Sequence, residues 1–144
     1  MRLIVGPTIM VLAGLCWGGQ VLSWLAPETA VRWGFMESET DVEPVFWADL
    51  LAEARWDAAV LWSMVVAGGL LTIDHASWPY FGLVAGGGYL YFAGRGIAAR
   101  LTMRGRQFRI GSPGNVTTGI IALAVWGAMA AAVIVGAIVE LEGR

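Results

Sequence analysis

Three carboxylates recur at every fourth position of one segment, at Asp49, Glu53 and Asp57. On an α-helix this spacing stacks the side chains on one face, where like charges repel unless a cation, a proton or an arginine neutralises them. One interpretation is an ion or small-ligand site, because ionisable groups at the edge of an apolar helix are functional candidates by default. The other is a set of salt bridges to arginines of other segments: Arg32, Arg95 and Arg100.

Asp57 is the member of this column that lies farthest into the apolar sequence that follows. Its charge is therefore the hardest to accommodate without a bound partner. The candidate ligand or ion site comprises five residues: Asp49, Glu53, Arg55, Asp57 and Arg95.

A second pattern combines glycines with aromatic rings at positions 86–92. Three successive glycines leave space beside the rings, which would admit a flat hydrophobic molecule such as a quinone, a carotenoid or a lipid tail. Glycine against an aromatic ring is also ordinary helix packing. The candidates for a hydrophobic ligand are Gly86, Tyr89, Tyr91 and Phe92.

Motifs for catalysis or metal binding are not found in the sequence. His75 is the only histidine and Cys16 the only cysteine, whereas a zinc site needs three or four ligands and a thiol redox cycle needs a second sulfur. The sequence has no HExxH, CxxC, phosphate-binding glycine loop or nucleophile elbow. We expect no catalytic residue and no metal, with quinone, carotenoid or lipid as the only cofactor-like ligands to consider.

Composition places these residues in a membrane protein. Of the 144 residues, 58% are hydrophobic and 14% charged, against about half and a quarter in soluble domains. Apolar stretches at 3–25, 56–73, 79–99 and 116–139 each match the ~17–25 residues that cross a bilayer as a helix. We predict an all-α chain, 1–144, that forms a single membrane domain of four transmembrane helices, which leaves no room for a soluble or nucleic-acid-binding domain.

Arginine supplies all nine basic side chains, and five of them fall between positions 95 and 109. By the positive-inside rule the Arg-rich loop, 100–115, faces the cytoplasm. Four spans then put both termini outside the membrane. Four arginines are candidates for lipid headgroup contacts: Arg100, Arg104, Arg106 and Arg109.

The acidic loop, 26–55, lies on the same predicted face as the Arg-rich loop. The 26–57 segment holds eight carboxylates and two arginines, so we expect it to dock over the Arg-rich loop. Positions 27–36 predict a short interfacial helix, with Trp33 and Phe35 in the headgroup layer. Pro44 suits the first turn of the second long helix, which should start near Val45 and project beyond the hydrocarbon.

Small residues at four-residue spacing mark places where helices approach closely. In the first and third spans these are Gly14, Gly18, Gly82 and Gly86, for which we expect packing within the chain. The fourth span carries the best candidate for an interface with a partner or a second copy: Ala124, Ala128, Ala132 and Gly136.

Four short motifs lie at the ends of the first three spans: Leu12-Ala13-Gly14-Leu15, Leu25-Ala26-Pro27-Glu28, Glu53-Ala54-Arg55 and Gly94-Arg95-Gly96. They resemble the DoxX-like family of small four-helix bacterial membrane proteins, over positions 12–96. That superfamily includes subunits associated with quinol oxidases. The resemblance implies a four-helix bundle in a prokaryotic cytoplasmic membrane, with Glu53 and Arg55 at its mouth and Arg95 opposite them.

We expect a non-catalytic accessory or scaffolding subunit of a membrane complex, which contacts lipids and other membrane subunits or a second copy. One alternative is a protein that binds or transports a small molecule, an ion or a lipid. Another is a redox subunit associated with quinone.

Overall fold

The computed structural model describes residues 2–143, and all regular structure in this range is helical. Six α-helices follow one another: α1 (Arg2–Leu25), α2 (Pro27–Arg32), α3 (Pro44–Val60), α4 (Trp62–Thr72), α5 (Trp78–Gly105) and α6 (Pro113–Glu142). A single 3₁₀ turn, Glu39–Asp41, precedes α3. The all-α prediction is confirmed.

Proline and a capping serine define where two of the helices start. Pro44 and Pro113 each occupy the first turn of their helix, where the missing amide N–H is not needed. The Ser112 side chain accepts a hydrogen bond from the Asn115 amide at 3.2 Å and so caps α6. Because α5 runs to Gly105 and α6 starts at Pro113, the non-helical part of the Arg-rich loop is only 106–112.

Three helical stretches are long and apolar enough to cross a membrane: Arg2–Leu25, Pro44–Thr72 and Pro113–Glu142. The second of these combines α3 and α4. The predicted third span, 79–99, falls within α5, which has sufficient length but is not among the three, since glycines and arginines lower its hydropathy.

The long helices pack in the order α1, α4, α5 and α6, with α3 also against α1. Contacts between α1 and α6 are sparse. This packing order leaves a gap between α1 and α6. The Trp126 indole bridges the gap at one depth, where its Nε1 donates to the Leu12 carbonyl oxygen at 3.1 Å.

Arg2 joins three segments at one end of the molecule. Its guanidinium pairs with Asp74, in the turn between α4 and α5, and with Glu140 of α6 at 3.1 Å. The start of α1, this turn and the end of α6 therefore lie together. Positions 26–43 and 106–112 meet at the opposite end, where Val42 and Ile110 form an isolated antiparallel bridge.

Glycine determines how closely two helix pairs approach. A Cβ at Gly6 would lie 2.8 Å from the Gly68 carbonyl oxygen, so α1 and α4 touch backbone to backbone there. On α5, Gly82 and Gly86 face α6, as expected for internal packing. Gly14 and Gly18 of α1 do not pack internally, because a Cβ at either would meet nothing within 4 Å. The face of α1 that packs inward is instead that of Ile9, Ala13 and Cys16.

Gly86 and Gly87 form a matched pair for testing this packing. A Cβ at Gly86 would lie 2.5 Å from Ile134 Cγ1 and 3.2 Å from the Ala130 carbonyl oxygen, whereas one at Gly87 meets nothing within 4 Å. Both changes to alanine gain the same helix propensity, but overpacking costs about 1–3 kcal/mol. We expect Gly86→Ala to lower the melting temperature in detergent relative to Gly87→Ala. Equal melting temperatures would contradict the α5–α6 packing.

Candidate functional site

The acidic column of α3 meets Arg95 of α5. The guanidinium pairs with Asp49 through Nη2 and with Glu53 through Nη1, which lies 2.8 Å from Glu53 Oε1. The Glu53 side chain is 11% exposed and that of Arg95 33%. Arg95 thus binds two successive turns of α3 and fixes the rotation of α5 against it.

Asp57 continues the column one turn deeper but takes no part in this ion pair. The residue is 4% exposed, and its Oδ2 atom has no hydrogen-bond partner among the described residues. The structure therefore brings four of the five candidate residues to one face, Asp49, Glu53, Asp57 and Arg95, and three of them interact directly.

Arg55 lies elsewhere. It is exposed, two positions after Glu53 and so about 200° around the helix. Arg32, one of the alternative partners, donates to the Thr29 hydroxyl at 3.0 Å within α2. Of the three arginines considered for salt bridges to the column, Arg95 is the one that makes them.

Four consecutive carbonyls at the junction of α3 and α4 accept hydrogen bonds from side chains. Trp17 Nε1 donates to Ala58 at 2.9 Å, and Trp62 Nε1 donates to Ala59 at 2.8 Å. The Ser63 hydroxyl donates to Val60 at 2.8 Å. The fourth carbonyl, that of Leu61, lies 3.2 Å from the Tyr89 hydroxyl.

The junction is a local tightening of the helix. The Met64 amide donates to the Leu61 carbonyl three residues earlier, as in a 3₁₀ turn. No glycine or proline occurs between Pro44 and Gly68, so the sequence contains no breaker signal here. The side-chain donors were not predicted, since they come from three different helices.

A cavity of about 440 Å³ lies beside Glu53, between α1 and α6. The 31–41 segment covers it, and α3 and α5 contribute to its wall. Its inner end is apolar, with Leu15, Phe92 and Trp126, and its outer end is polar, with Glu37, Gln20, Arg100 and Asn115. It therefore has the character of a site for an amphipathic molecule.

Arg100 is the cation of this cavity. Its guanidinium lies over the Phe46 ring, 5.8 Å from the ring centroid, and Nη1 donates to the Gly96 carbonyl at 3.1 Å. No carboxylate oxygen of residues 2–143 is recorded within 4 Å of it. Arg100 is thus held in place by an aromatic face and a carbonyl, and it interacts electrostatically with Glu53 and Glu37 of the same cavity.

The acidic segment docks on the Arg-rich loop, as predicted. The Glu43 amide donates to the Arg109 carbonyl at 2.7 Å, and Arg109 Nε lies 3.5 Å from Glu43 Oε1. Asn115 Nδ2 donates to Glu37 at 3.1 Å. A small core of Val42, Phe46, Ile110 and Val116 lies beneath these contacts. Arg104 and Arg106 are exposed on this end of the molecule.

The four candidates for a hydrophobic ligand are not gathered at one site. Gly86 packs against Ile134, and Tyr89 is fully buried, with its hydroxyl 3.2 Å from both Ala13 and Leu61 carbonyls. Tyr91 is 65% exposed on the opposite face. Phe92 lines the cavity and packs edge-on against Tyr89 and beside Trp126.

The proposed interface stripe of α6 faces outward for most of its length. Ala124, Ala128 and Ala132 are exposed, together with Ile121 and Val125. Gly136 is partly covered, and a Cβ there would lie 3.7 Å from the Trp78 ring.

His75 forms part of the turn before α5, where its Nδ1 accepts from the Ser77 amide at 3.2 Å. Within residues 2–143 no three histidine, cysteine, aspartate or glutamate side chains are grouped as metal ligands would be.

Known proteins offer no match to this arrangement: no family model, no curated protein sequence and no solved structure matches the chain. The fold and the site are those of an all-helical protein with three helices long and apolar enough to cross a membrane and a half-buried ion cluster beside an amphipathic cavity.

Removal of the Arg95 charge tests the ion cluster. Arg95→Gln leaves Asp49 and Glu53 without their cation, and breaking a fully buried pair costs about 3–5 kcal/mol. Because these side chains are partly exposed, we expect a loss of about 2 kcal/mol in unfolding experiments. The exposed Arg55 provides the control, since Arg55→Gln should change stability little. The double variant Glu53→Gln/Arg95→Gln should recover part of the lost free energy of unfolding. If the effects of the two single changes on that free energy simply add, the pairing is contradicted.

Proposed function

We propose that the chain is a four-span integral membrane protein that binds a membrane lipid in the cavity between α1 and α6. The observation that carries the proposal is the polarity of that cavity, with Arg100 at its outer end and Phe92, Leu123 and Trp126 at its inner end. A lipid has the same arrangement, with an anionic headgroup at one end and an apolar acyl chain at the other.

Four spans are supported by the position of α5. Its glycines at 82, 86 and 96 face α6 from Leu123 to Ala137, and α4 packs on its other side. A bilayer that holds α4 and α6 would therefore hold α5 as well. At 28 residues α5 reaches about 42 Å, enough to cross ~30 Å of hydrocarbon with its arginines beyond it.

The arginine-rich end is then cytoplasmic by the positive-inside rule. Arg2, Asp74 and Glu140 lie at the other end, which would put both termini outside in a prokaryotic cytoplasmic membrane. The α2 helix, with Trp33 70% exposed just after it, would lie at the cytoplasmic interface.

The dimensions of the cavity favour a lipid. It extends along α1 from Ser23 to Leu15, which corresponds to about 12 Å of depth. A phosphate at Arg100 would receive a charge-assisted hydrogen bond, and an acyl chain would lie against Leu15 and Trp126. Quinone is the less favoured ligand, because Tyr91 faces away from the cavity and Tyr89 is engaged in the core.

Kinship with DoxX-like proteins remains part of this proposal. Glu53 and Arg95 of the resembling motifs form an ion pair next to the cavity. In such a protein the ion pair would position the helices around the bound lipid.

Filling the cavity should release the lipid. Ala122 lines the cavity, and Ala128 is exposed on the outer face of the same helix. We expect Ala122→Phe to reduce, several-fold or more, the lipid that native mass spectrometry detects on the purified protein, and Ala128→Phe to leave it unchanged. Equal retention in both variants would contradict lipid binding in the cavity, and a bound mass equal to that of a quinone would replace lipid by quinone as the ligand.

A second candidate function is that of an accessory or scaffolding subunit. It is favoured by the outward-facing alanines of α6, since small residues let a partner helix approach closely. Its partner would be another membrane subunit or a second copy of the chain.

Cysteine cross-linking tests the case of a second copy. Cys16 is buried and is the only cysteine, so a single introduced cysteine reports on its own position. We expect Ala128→Cys to form disulfide-linked dimers in the membrane, and Val84→Cys, at an exposed position of α5, to form few. Absence of dimers from Ala128→Cys would exclude a symmetric contact at this position and leave a different subunit as the partner to seek.

A further inference from the structure

We propose that Asp57 is a proton-binding site at the inner end of the acidic column, loaded through the cavity. The proposal does not depend on what the cavity binds. It rests on where Asp57 lies, on the partners of its neighbours and on the route by which water reaches it.

The first argument is the burial of an unpartnered oxygen. Asp57 is 4% exposed, and Oδ2 has no hydrogen-bond donor within residues 2–143. A buried carboxylate without hydrogen bonds is strongly disfavoured compared with the same group in water. Formation of an O–H bond at Oδ2 removes the charge.

The second argument is the charge of the surroundings. The column holds three carboxylates, and the guanidinium of Arg95 pairs with Glu53 and Asp49, which lie one and two turns further out. Arg95 therefore compensates the outer part of the column. A single proton on Asp57 brings the column and its arginine one unit closer to neutrality.

Among residues 2–143, the other elements around Asp57 offer it no second cation. From α1 the ionisable neighbour is Cys16, and from α5 the neighbours are Tyr89 and Arg95. On α3 it is Glu53, and α4 has no ionisable side chain besides its hydroxyls.

The nearby backbone also disfavours a metal cation at this place. The carbonyls that follow Asp57, from Ala58 to Leu61, accept hydrogen bonds from indole and hydroxyl donors. These hydrogen bonds engage carbonyl oxygens that a sodium ion would otherwise need as ligands. A proton needs only the carboxylate itself.

The cavity supplies the route for the proton. Glu53 and Cys16 line the cavity, and both interact electrostatically with Asp57. Water in the cavity would deliver a proton past Glu53 to Oδ2 and take it back when the pH rises.

Infrared spectroscopy of the full chain in lipid nanodiscs tests this site. We expect one carbonyl-stretch band of a protonated carboxylic acid, sensitive to exchange into D₂O, that disappears as the pH rises. Asp57→Asn should remove this band, and Asp49→Asn should keep it. A band that survives Asp57→Asn would overturn the proposal.

Two further measurements keep the test decisive if Asp57→Asn does not fold. In the wild-type chain, carboxyl-¹³C aspartate should shift the band, and a band that shifts only with labelled glutamate would exclude Asp57. In thermal unfolding, the carboxyl ionises freely in the unfolded chain but not in the folded one, so wild-type stability should fall as the pH rises. Asp57→Asn, where it folds, should lack this component of the fall, and identical pH profiles would contradict the proposal.

Discussion

The junction of α3 and α4 determines how the other helices can be arranged. Its four carbonyls, from Ala58 to Leu61, each accept a side-chain hydrogen bond. In an apolar environment such donors must come from the protein, since no water replaces them. Two of them come from other helices, Trp17 from α1 and Tyr89 from α5. The Tyr89 hydroxyl also lies 3.2 Å from the Ala13 carbonyl, so one buried atom fixes the depth of three segments.

Ion pairs join the helices at both ends of the molecule, but they connect different elements at each end. At one end Arg2 joins α1 to the turn before α5 and to α6. At the other end Arg95 joins α5 to α3, and the acidic segment folds back onto the loop before α6. Because contacts between α1 and α6 are sparse, this second end stays open between them. The cavity therefore results from the sparse packing of α1 against α6 at this end.

The features that the sequence predicts well are those with a local physical cause. The start of α3 follows from Pro44, and the column from four-residue spacing. Three arginines were possible salt-bridge partners of the column, and their spacing along the chain does not show which of them makes the contact. Arg55 and Tyr91 show the limit of grouping by proximity along the chain, because a residue two positions away points to the opposite side of a helix. A Cβ at Gly14 or Gly18 would meet nothing within 4 Å. A stripe of small residues therefore does not by itself identify the surface that packs against it.

The distribution of charged residues along the helices is uneven. Between Asp57 and Asp74 the chain has no charged residue and no histidine. The same is true of α6 from Pro113 to Val139 and of α1 after Arg2, while α5 carries its charges only from Arg95 onward. From the arginine-rich end, charged side chains within the helices thus extend as far as Asp57, and the next ones are Arg2 and Glu140 near the opposite end. Ionisable residues within a membrane segment are candidates for a functional site. The deepest such residue reached from the arginine-rich end is Asp57, which is why the proposed proton site is placed there.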